Sequence, residues 1–449
     1  MNPPAAARLL RVSRSGPLTG RCRVPGDKSI SHRALLFGAL ADGLVEVSGL
    51  GLGGDNRSTA SALRALGVEL ELQNGEAKIQ GVGFAGLRQA PAPLDCGNSG
   101  TTIRLLMGLL AGRSFESTLF GDASLTKRPM KRVAEPLRRM GATLDGRTDP
   151  ARPGDIFPPV RVKGGALSGI RYDLPVASAQ LKSALVLAAL QAKGRTELRE
   201  PARSRDHTER MLRALGAPIS VDASSGAILV DPDDWNGRLR AARLVVPGDL
   251  SSATFLIVAA LTVPGSDVTV ENVGLNPTRT GALDVLTAMG ADIQITPGAD
   301  AMGEPVGAVR VRSSALRGTR VAGELALRAI DEIPALAVAA ACAEGITEFA
   351  DLAELRVKES DRIVAVAREL RRAGITVEER PDGLIVTGLA GRAPTGGTVT
   401  PEHDHRIAMA GAVLGLSAGQ ETLVPADDID TSFPTFADTL ARLGAPIGS

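Results

Sequence analysis

Cationic side chains recur near the starts of apolar segments that the sequence predicts to be helices. The clearest cases are Lys28, Arg33, Arg128, Arg362 and Arg406. A helix N-terminus carries free N–H groups and a partial positive charge, so it attracts anions and disfavours cations. A cation at such a position is commonly offset by a carboxylate or a bound anion. The pattern therefore indicates an anion site, although the Asp, Asn and Ser residues beside these cations could simply be helix caps.

Acidic residues stand among these bases. Asp331 and Glu332 precede one apolar segment, and Glu359 follows Lys358. A carboxylate beside Lys or Arg stays ionised and can act as a general base, or it can form a salt bridge that positions the cation. With the nearby hydroxyl and amide groups, the set suits a substrate that carries more than one phosphate or carboxylate, with proton transfer by Lys, Glu or Asp.

Composition excludes several other classes of function. The net charge is +1 and aromatic residues make up 2% of the chain, which disfavours nucleic-acid binding and membrane-surface binding. The apolar runs are too short to span a membrane. Three scattered cysteines and four histidines form no metal motif, which predicts no metal, no cofactor and reduced thiols in a cytoplasmic protein.

The helices that must position these residues come in repeated pairs. A helix-end pattern, apolar-x-x-apolar-Gly, recurs about every 75 residues and predicts an amphipathic helix with Gly in the left-handed conformation after it. The glycines of this pattern are Gly67, Gly141, Gly216, Gly290, Gly374 and Gly444.

A second set of helices lies half a repeat earlier. Each is apolar nearly all round, which predicts burial, and each follows a polar loop. The loops begin near Asp27, Asn98, Ser178, Asp249, Asp331 and Asp404. Short β-branched stretches separate the helices, so the chain is predicted to form six α/β units with sheets covered by helices.

A ring of six units and two groups of three units would both fit this pattern. The segment 243–249 echoes the segment 21–27, with Val-Pro-Gly-Asp at the end of each. This echo favours a restart of the second half there, which gives two groups of three units. A chain of 449 residues has room for about three domains, or for two large ones.

The motifs as a set resemble the 5-enolpyruvylshikimate-3-phosphate synthase family over essentially the whole chain. Several loops have sequences similar to those of the second sequence class of that family. The motifs that carry the resemblance lie at 25–33, 97–101, 121–129, 178–180, 356–362 and 404–406.

The resemblance implies an α/β fold, the two-domain inside-out α/β barrel of the enolpyruvyl transferases. Six βαβαββ repeats would form it, three per domain. One domain would be 22–243, the other 1–21 plus 244–449, and the active site would lie in the interdomain cleft. The implied reaction transfers the enolpyruvyl group of phosphoenolpyruvate to the 5-hydroxyl of shikimate 3-phosphate. Phosphate is released by addition and elimination through a tetrahedral intermediate, in the shikimate pathway to chorismate and the aromatic amino acids.

The resemblance also implies roles for individual residues. The implied catalytic residues are Lys28, Asp331 as the base on the 5-hydroxyl, and Glu359 as the acid that protonates the methylene carbon. The implied shikimate 3-phosphate contacts are Lys28, Ser29, Arg33, Ser178, Ala179, Gln180, Ser204, Asp331 and Lys358. The implied phosphoenolpyruvate contacts are Lys28, Asn98, Gly100, Arg128, Gln180, Arg362 and Arg406.

The chain departs from the family pattern at several positions. A lysine common near the C-terminus is absent, and Thr431 stands in its place. His207 replaces a common Tyr, and Ala179 replaces a second Ser. Asp331 and Glu332 are adjacent, so either could be the base. Gly100 is Ala in glyphosate-tolerant members, so we expect glyphosate to inhibit this chain and Gly100→Ala to raise tolerance.

Two other functions compete with this interpretation. A UDP-N-acetylglucosamine enolpyruvyl transferase would share the fold and the donor, but it carries a reactive Cys in the loop that corresponds to 121–129, where this chain has none. A non-catalytic six-unit clamp on nucleic acid would need a broad basic surface. The expectation is a monomeric enzyme that acts on small molecules, with no nucleic-acid or membrane partner.

Overall fold

The structure is a computed structural model, and it describes residues 8–448. Its strands up to residue 173 are β1 Leu9–Val12, β2 Thr19–Arg23, β3 Ala41–Ser48, β4 Leu70–Gln73, β5 Glu76–Val82, β6 Leu94–Asp95, β7 Glu116–Phe120, β8 Thr143–Arg147, β9 Phe157–Lys163, β10 Leu167–Ser168 and β11 Arg171–Asp173. The later strands are β12 Ala192–Lys193, β13 Thr196–Arg199, β14 Ile219–Val221, β15 Ile228–Val230, β16 Leu239–Arg240, β17 Arg243–Val245, β18 Asp267–Gly274, β19 Asp292–Pro297, β20 Val306–Arg312, β21 Arg320–Val321, β22 Ile346–Phe349, β23 Thr376–Arg380, β24 Gly383–Thr387, β25 Gly397–Thr398, β26 Thr422–Pro425 and β27 Ile447–Gly448.

The helices alternate with these strands. They are α1 Lys28–Ala39, α2 Gly54–Ala65, α3 Gly83–Gly86, α4 Gly100–Leu110, α5 Lys131–Met140, α6 Ala179–Ala189, α7 His207–Ala214, α8 Leu250–Thr262, α9 Gly281–Ala288, α10 Gly323–Arg328, α11 Ile333–Cys342, α12 Arg362–Arg372, α13 His405–Gly415, α14 Ala426–Asp430 and α15 Phe436–Arg442. Short 3₁₀ helices lie at Leu125–Lys127, Ile330–Glu332 and Ala353–Val357. No helix within residues 8–448 is both long enough and apolar enough to cross a membrane.

Six sheets in the described chain share one topology. In each, an edge strand is parallel to its neighbour, and two further strands continue the sheet in antiparallel fashion. The strand orders are β17-β3-β5-β4 (with β16 also beside β3), β6-β7-β9-β8, β11-β13-β15-β14, β2-β18-β20-β19, β21-β22-β24-β23 and β25-β26-β1-β27. A separate parallel pair joins β10 to β12. The six predicted units are therefore present, each with the βαβαββ pattern or a rearranged form of it.

Two of the sheets exchange their edge strands. Strand β2 precedes α1 along the chain but pairs with β18, whereas β17 precedes α8 but pairs with β3. Between β2 and α1, and again between β17 and α8, the chain passes from one set of sheets to the other. These are the two places at which the sequence repeats Val-Pro-Gly-Asp.

The chain divides into two compact domains at these places. The first domain consists of Gly26–Val246 with the short segment Asp300–Glu304, and the second of Pro247–Ala299, Pro305–Ser449 and the N-terminal part up to Pro25. The first crossing lies after Pro25 rather than after residue 21, because β2 is a strand of the second domain. The predicted boundaries did not include the segment Asp300–Glu304.

Three helices form the buried centre of each domain. In the first domain these are α1, α4 and α6, and in the second α8, α11 and α13. Nearly every residue of α8 is buried, as the absence of a polar face predicted. The helices α2, α5, α7, α9, α12 and α15 each end near a glycine with φ between 80° and 117°, which confirms the six predicted left-handed positions.

Side chains before the central helices cap them. Asp27, Ser99, Ser178, Asp249 and Asp404 each accept a hydrogen bond from a backbone N–H in the first turn of the helix that follows. The capping interpretation of these polar residues is therefore right. Capping does not explain the cations beside these residues, because a helix cap requires only a carboxylate or hydroxyl oxygen that accepts from a backbone N–H.

Candidate active site

The first domain holds Lys28 at the first position of α1. Its Nζ lies 3.1 Å from Oδ2 of Asp55, which is in the first turn of α2. Both side chains keep part of their surface exposed, at 26% and 16%. The ion pair fixes a cation at a helix N-terminus without removing it from solvent, as an anion site requires.

Arg33, one turn further along α1, is almost fully buried. Its guanidinium donates to Thr208 Oγ1 and Ser183 Oγ, both at 2.7 Å, and to the carbonyl oxygen of Ser29 at 2.9 Å. Burial lowers the pKa of Arg33 to about 10, and the carboxylate of Glu209 opposes that effect, so the group stays charged at neutral pH. Three of its five N–H groups are committed to protein.

Asn98 and Arg128 form a second cluster in the same domain. Arg128 Nη2 donates to Asn98 Oδ1 at 2.7 Å and to Ser124 Oγ at 3.1 Å, and Asn98 Nδ2 donates to Asp122 Oδ2 at 2.6 Å. The loop from 121 to 129 and the turn before α4 are thereby held together. Two of the phosphoenolpyruvate contacts implied by the sequence thus contact each other.

Gln180 and Gly100 are linked through a residue that the predicted set omitted. Arg104 Nη1 donates to Gln180 Oε1 at 2.7 Å and to the Gly100 carbonyl at 3.3 Å, and Gln180 Nε2 donates to Thr101 Oγ1 at 2.9 Å. A Cβ at Gly100 would lie 2.7 Å from Nη1 of Arg104 and 3.3 Å from Nη1 of Arg128. The position is therefore crowded by two guanidinium groups.

Ser178, Ala179 and Ser204 lie around the start of α6. The Ser178 hydroxyl caps this helix, the Ala179 carbonyl accepts from Ser183 Oγ at 2.6 Å, and the Ser204 hydroxyl donates to Glu200. A buried lysine of α6, Lys182, bonds to the loop that carries Ser204. Sequence reasoning missed this lysine, although a charge inside an otherwise apolar helix was a visible signal.

His207 begins α7 and contacts the inserted segment Asp300–Glu304. Its Nδ1 lies 2.9 Å from Oε1 of Glu304, and both side chains are 1% exposed. Arg210 Nη1 donates to the Gly303 carbonyl at 2.9 Å. The residue that replaces the family's Tyr is therefore committed to a buried pair with a loop that the sequence did not connect to this domain.

The second domain gathers its predicted residues from three separate segments. Asp331 Oδ1 lies 3.3 Å from Lys358 Nζ and 3.3 Å from Arg362 Nη1, and Arg362 Nη2 lies 2.7 Å from Glu359 Oε2. Arg406 Nη1 donates to the backbone carbonyl of Asp331 at 2.8 Å. All five residues predicted for this half therefore belong to one cluster of hydrogen bonds and ion pairs.

Arg362 is the centre of that cluster. Its side chain is 1% exposed, and its Nε lies 2.8 Å from Oδ2 of Asp404, which is itself fully buried. Burial alone would lower the pKa of Arg362, but the carboxylates of Asp404, Glu359 and Asp331 raise it well above its usual range. Burial would raise the pKa of Asp404, and Arg362 overcomes that effect and lowers it. Both groups are therefore charged at neutral pH.

The adjacent acids Asp331 and Glu332 have different surroundings. Glu332 is fully buried, accepts from the Ser251 hydroxyl, and lies 3.7 Å from Arg279 Nη2. Asp331 belongs instead to the Lys358–Arg362 cluster, with Arg279 Nη1 4.0 Å from its Oδ2. Arg279 was visible near a helix start in the sequence, but it was not among the predicted site residues.

The three cysteines take no part in these side-chain clusters. Burial raises the pKa of Cys22 to about 11 and that of Cys96 and Cys342 to about 12, so the thiols are protonated. Among residues 8–448, no group of three or more His, Cys, Asp and Glu side chains could hold a metal ion. Thr431 follows the short helix α14.

Comparison with known proteins assigns the chain to a family. The model of EPSP synthase (3-phosphoshikimate 1-carboxyvinyltransferase) matches residues 12–440. The chain belongs to the EPSP synthase family. A 3-phosphoshikimate 1-carboxyvinyltransferase of Synechococcus sp. (strain JA-3-3Ab) is 52% identical over 447 residues, which cover 98% of each chain. The protein of that name from Desulforudis audaxviator is 50% identical over 436 residues, 97% of this chain and 99% of the relative.

Solved structures of EPSP synthases have the same fold. An EPSP synthase of Acinetobacter baumannii aligns with a TM-score of 0.87 at 42% identity, over 98% of this chain and 99% of that one. A second structure of EPSP synthase from the same organism aligns with a TM-score of 0.87 at 41% identity. The two-domain enolpyruvyl transferase fold expected from the motifs is therefore confirmed for this EPSP synthase family member.

Proposed function

We propose that this chain transfers the enolpyruvyl group of phosphoenolpyruvate to the 5-hydroxyl of shikimate 3-phosphate and releases phosphate. Family membership over nearly the whole length supports this reaction. The observation that carries it is the cluster around Arg362, in which two carboxylates and two further cations meet within hydrogen-bond distance. The reaction needs a base, an acid and cations for two anionic substrates, and this cluster supplies members of each class.

Asp331 is the base in this proposal. The attacking group is a weakly acidic alcohol, so it needs an acceptor within hydrogen-bond reach. Asp331 keeps some exposure and shares its carboxylate with Lys358 and Arg362, whereas Glu332 is enclosed by Ser251 and Arg279. Glu359 is the acid that protonates the methylene carbon in the addition step, and it takes a proton back from the resulting methyl group in the elimination step. Its side chain is 24% exposed, so water can supply the first proton to the carboxylate.

The cations bind the substrate anions. The carboxylate and phosphate of phosphoenolpyruvate bind to four cations, which are Lys28, Arg128, Arg362 and Arg406. Asn98, Gly100 and Gln180 complete the set of phosphoenolpyruvate contacts. Shikimate 3-phosphate binds to a second set of residues, which shares Lys28 with the first set and includes Asp331. The other members are Ser29, Arg33, Ser178, Ala179, Gln180, Ser204 and Lys358. Contributions from both domains to one pair of substrates would allow a closing motion to exclude water and strengthen these charges.

Glyphosate is the proposed inhibitor, and the enzyme is a cytoplasmic monomer in this proposal. The inhibitor would compete at Gly100, because a Cβ there would lie 2.7 Å from Nη1 of Arg104 and 3.3 Å from Nη1 of Arg128 and would crowd a ligand bound to these guanidinium groups. No cofactor is needed, because addition of the hydroxyl to an enol phosphate and loss of phosphate to give an enol ether change no oxidation state and can proceed by proton transfer alone.

The test is phosphate release from phosphoenolpyruvate in EDTA, with and without shikimate 3-phosphate. Release that depends on this acceptor and survives chelation is the expected result. Phosphate release only with UDP-N-acetylglucosamine would mean that this compound, and not shikimate 3-phosphate, is the acceptor. No release with either acceptor would refute the enzymatic proposal, and salt-sensitive binding of DNA would then favour the clamp.

A further inference from the structure

Lys182 is a buried lysine that the reaction described above does not use. It lies in the second turn of α6, its side chain is 1% exposed, and its neighbours along the helix, Leu181, Ser183 and Ala184, are buried. Its Nζ lies 2.8 Å from Oε2 of Glu200 and 2.8 Å from Oε1 of Glu209. It also donates to the carbonyl oxygen of Ser204 at 3.4 Å. An ammonium group at such depth is stable only because it is paired in this way.

The charge state of the lysine follows from these partners. Burial lowers the pKa of Lys182, but the carboxylates of Glu209 and Glu200 overcome that effect and raise it above its usual value. The group is therefore a permanent cation at neutral pH. Together with Arg33, whose charge Glu209 also stabilises, it balances two buried carboxylates.

The contacts of Lys182 tie a loop to the helix. The segment 200–206 connects β13 to α7 without regular secondary structure. Lys182 holds it at both ends, through the Glu200 carboxylate at its start and the Ser204 carbonyl near its end. Its own backbone N–H donates to the Ser178 carbonyl at 3.0 Å. One residue thus connects Ser178 and Ser204, which are both proposed to bind shikimate 3-phosphate.

We infer that Lys182 is a positioning residue for shikimate 3-phosphate. It fixes the loop 200–206 against the start of α6, so that Ser204 is held in register with Ser178. Its charge also cancels the carboxylates of Glu200 and Glu209, which would otherwise repel a phosphate bound to this loop. This inference rests on the proposed function for the identity of the ligand, but not for the role of the lysine in the loop.

Lys182→Met is the direct test, since Met has similar length and no charge. We expect the KM for shikimate 3-phosphate to rise roughly 10- to 100-fold, with the KM for phosphoenolpyruvate changed by less than about threefold. Leu185→Ala is the matched control, because it opens a cavity in the same helix without removing a charge. It should lower the melting temperature and leave both KM values unchanged.

Two conservative variants distinguish a role in positioning the loop 200–206 from a role in stabilising the fold. They also replace Lys182→Met as the test if that variant does not fold. Glu200→Gln weakens the link to the loop and should raise the KM for shikimate 3-phosphate alone. Glu209→Gln removes a partner on α7 that also stabilises the charge of Arg33, and should lower stability while raising that KM less than Glu200→Gln does. Equal rises in both KM values, or unchanged KM values in Lys182→Met and Glu200→Gln, would overturn the inference.

Hydrogen exchange in the ligand-free protein distinguishes failure of this inference from failure of the proposed function. Lys182→Met, or Glu200→Gln in its place, should increase exchange in 200–206 more than in the neighbouring helix α4. If wild-type protein showed no turnover of shikimate 3-phosphate, the proposed function would fail. The exchange data would still decide whether Lys182 holds the loop, and unchanged exchange in 200–206 would refute that.

Discussion

The Nε atom of Arg362 lies 2.8 Å from Oδ2 of Asp404, and both side chains are buried to within 1% of their surface. Asp404 also caps α13 by accepting from the backbone N–H of Arg406. A single carboxylate therefore fixes the guanidinium of one predicted phosphoenolpyruvate contact and the backbone of another. The pairing explains how two cations from distant segments share one cluster.

Removal of the Asp404 charge is expected to damage both stability and activity. Asp404→Asn leaves Arg362 buried beside a neutral amide, and loss of one member of a buried ion pair costs about 3–5 kcal/mol. We expect kcat/KM for phosphoenolpyruvate to fall about 100-fold or more, because Arg362 is no longer held toward Glu359 and Asp331. Urea unfolding and steady-state phosphate release measure the two effects.

Ser360→Ala is the matched control for this variant. It removes only the hydrogen bond from Ser360 Oγ to Oδ2 of Asp404, which is 3.0 Å long. The expected loss is about 1 kcal/mol of stability, with activity within about threefold of wild type. Equal effects of the two variants would contradict a special role for the Arg362–Asp404 pair.

The stability of the first domain should depend on pH through His32. This residue is fully buried in α1, and burial lowers its pKa from 6.5 to about 3, with a smaller opposing effect from Asp55. As the pH falls below 6.5, His32 therefore becomes protonated in the unfolded chain but stays neutral in the folded chain. Its contribution to stability is complete above pH 6.5 and is lost by about 1.4 kcal/mol per pH unit as the pH falls toward 3.

Urea unfolding at pH 7.5 and pH 5.0 tests this dependence. His32→Asn should make the difference between the two pH values smaller, since Asn does not titrate, and Asn can keep a hydrogen bond to Thr59, whose Oγ1 lies 2.7 Å from Nδ1 of His32. His403→Asn is the control, because the side chain of His403 is 98% exposed. An unchanged pH difference in His32→Asn would show that other groups cause it.

Local chemistry made the helices and their ends predictable from sequence. The glycine after each amphipathic helix is required by a left-handed backbone, and the buried helices lack any polar face. The members of the cluster in the second domain were also predictable, because Glu359 and Arg362 stand in the motif 356–362 and Asp331 begins one of the six polar loops. Asp404 was visible as a helix cap within the motif 404–406, but its ion pair with Arg362, which holds the members together, was not visible.

Pairing between distant segments was not predictable from the sequence alone. The exchange of β2 and β17 between sheets depends on which strand edge each meets. The repeated Val-Pro-Gly-Asp marked where the chain crosses, but it did not show which strands pair there. The contact of Glu304 with His207 and the partners of Lys182 join residues whose separation carries no periodic signal. Such pairs are fixed by burial of charge, which requires the three-dimensional neighbours to be known.

Gly100→Ala is expected to reduce inhibition by glyphosate more than it reduces use of phosphoenolpyruvate. The new methyl group would lie 2.7 Å from Nη1 of Arg104 and 3.3 Å from Nη1 of Arg128, so at least the Arg104 side chain must move. One added methyl in a tight pocket changes affinity roughly 10- to 100-fold. We expect the inhibition constant to rise by that factor, and the KM for phosphoenolpyruvate by less than about fivefold.

Inhibition constants for wild type, Gly100→Ala and Gly16→Ala decide this prediction. Gly16 is the control because a Cβ there would meet no atom within 4 Å. It should have the inhibition constant of wild type. Equal inhibition constants for Gly100→Ala and wild type would mean that glyphosate does not bind next to Gly100.

The two adjacent acids of the second domain should respond differently to neutral substitution. Asp331→Asn removes the proposed base and should lower kcat about 10²- to 10⁴-fold, the usual contribution of general-base catalysis. The fold should survive, because Lys358 is partly exposed and Arg362 keeps Asp404 and Glu359 as partners. Phosphate release in a single turnover measures the chemical step directly.

Glu332→Gln should show the opposite pattern. Its carboxylate is fully buried, accepts from Ser251 and lies 3.7 Å from Arg279, so its loss leaves a buried cation with less compensation. The melting temperature should fall clearly, and the single-turnover rate should stay within about tenfold of wild type. A large loss of rate in Glu332→Gln with a normal rate in Asp331→Asn would move the base to Glu332, since the two side chains differ in what surrounds them and not in chemical class.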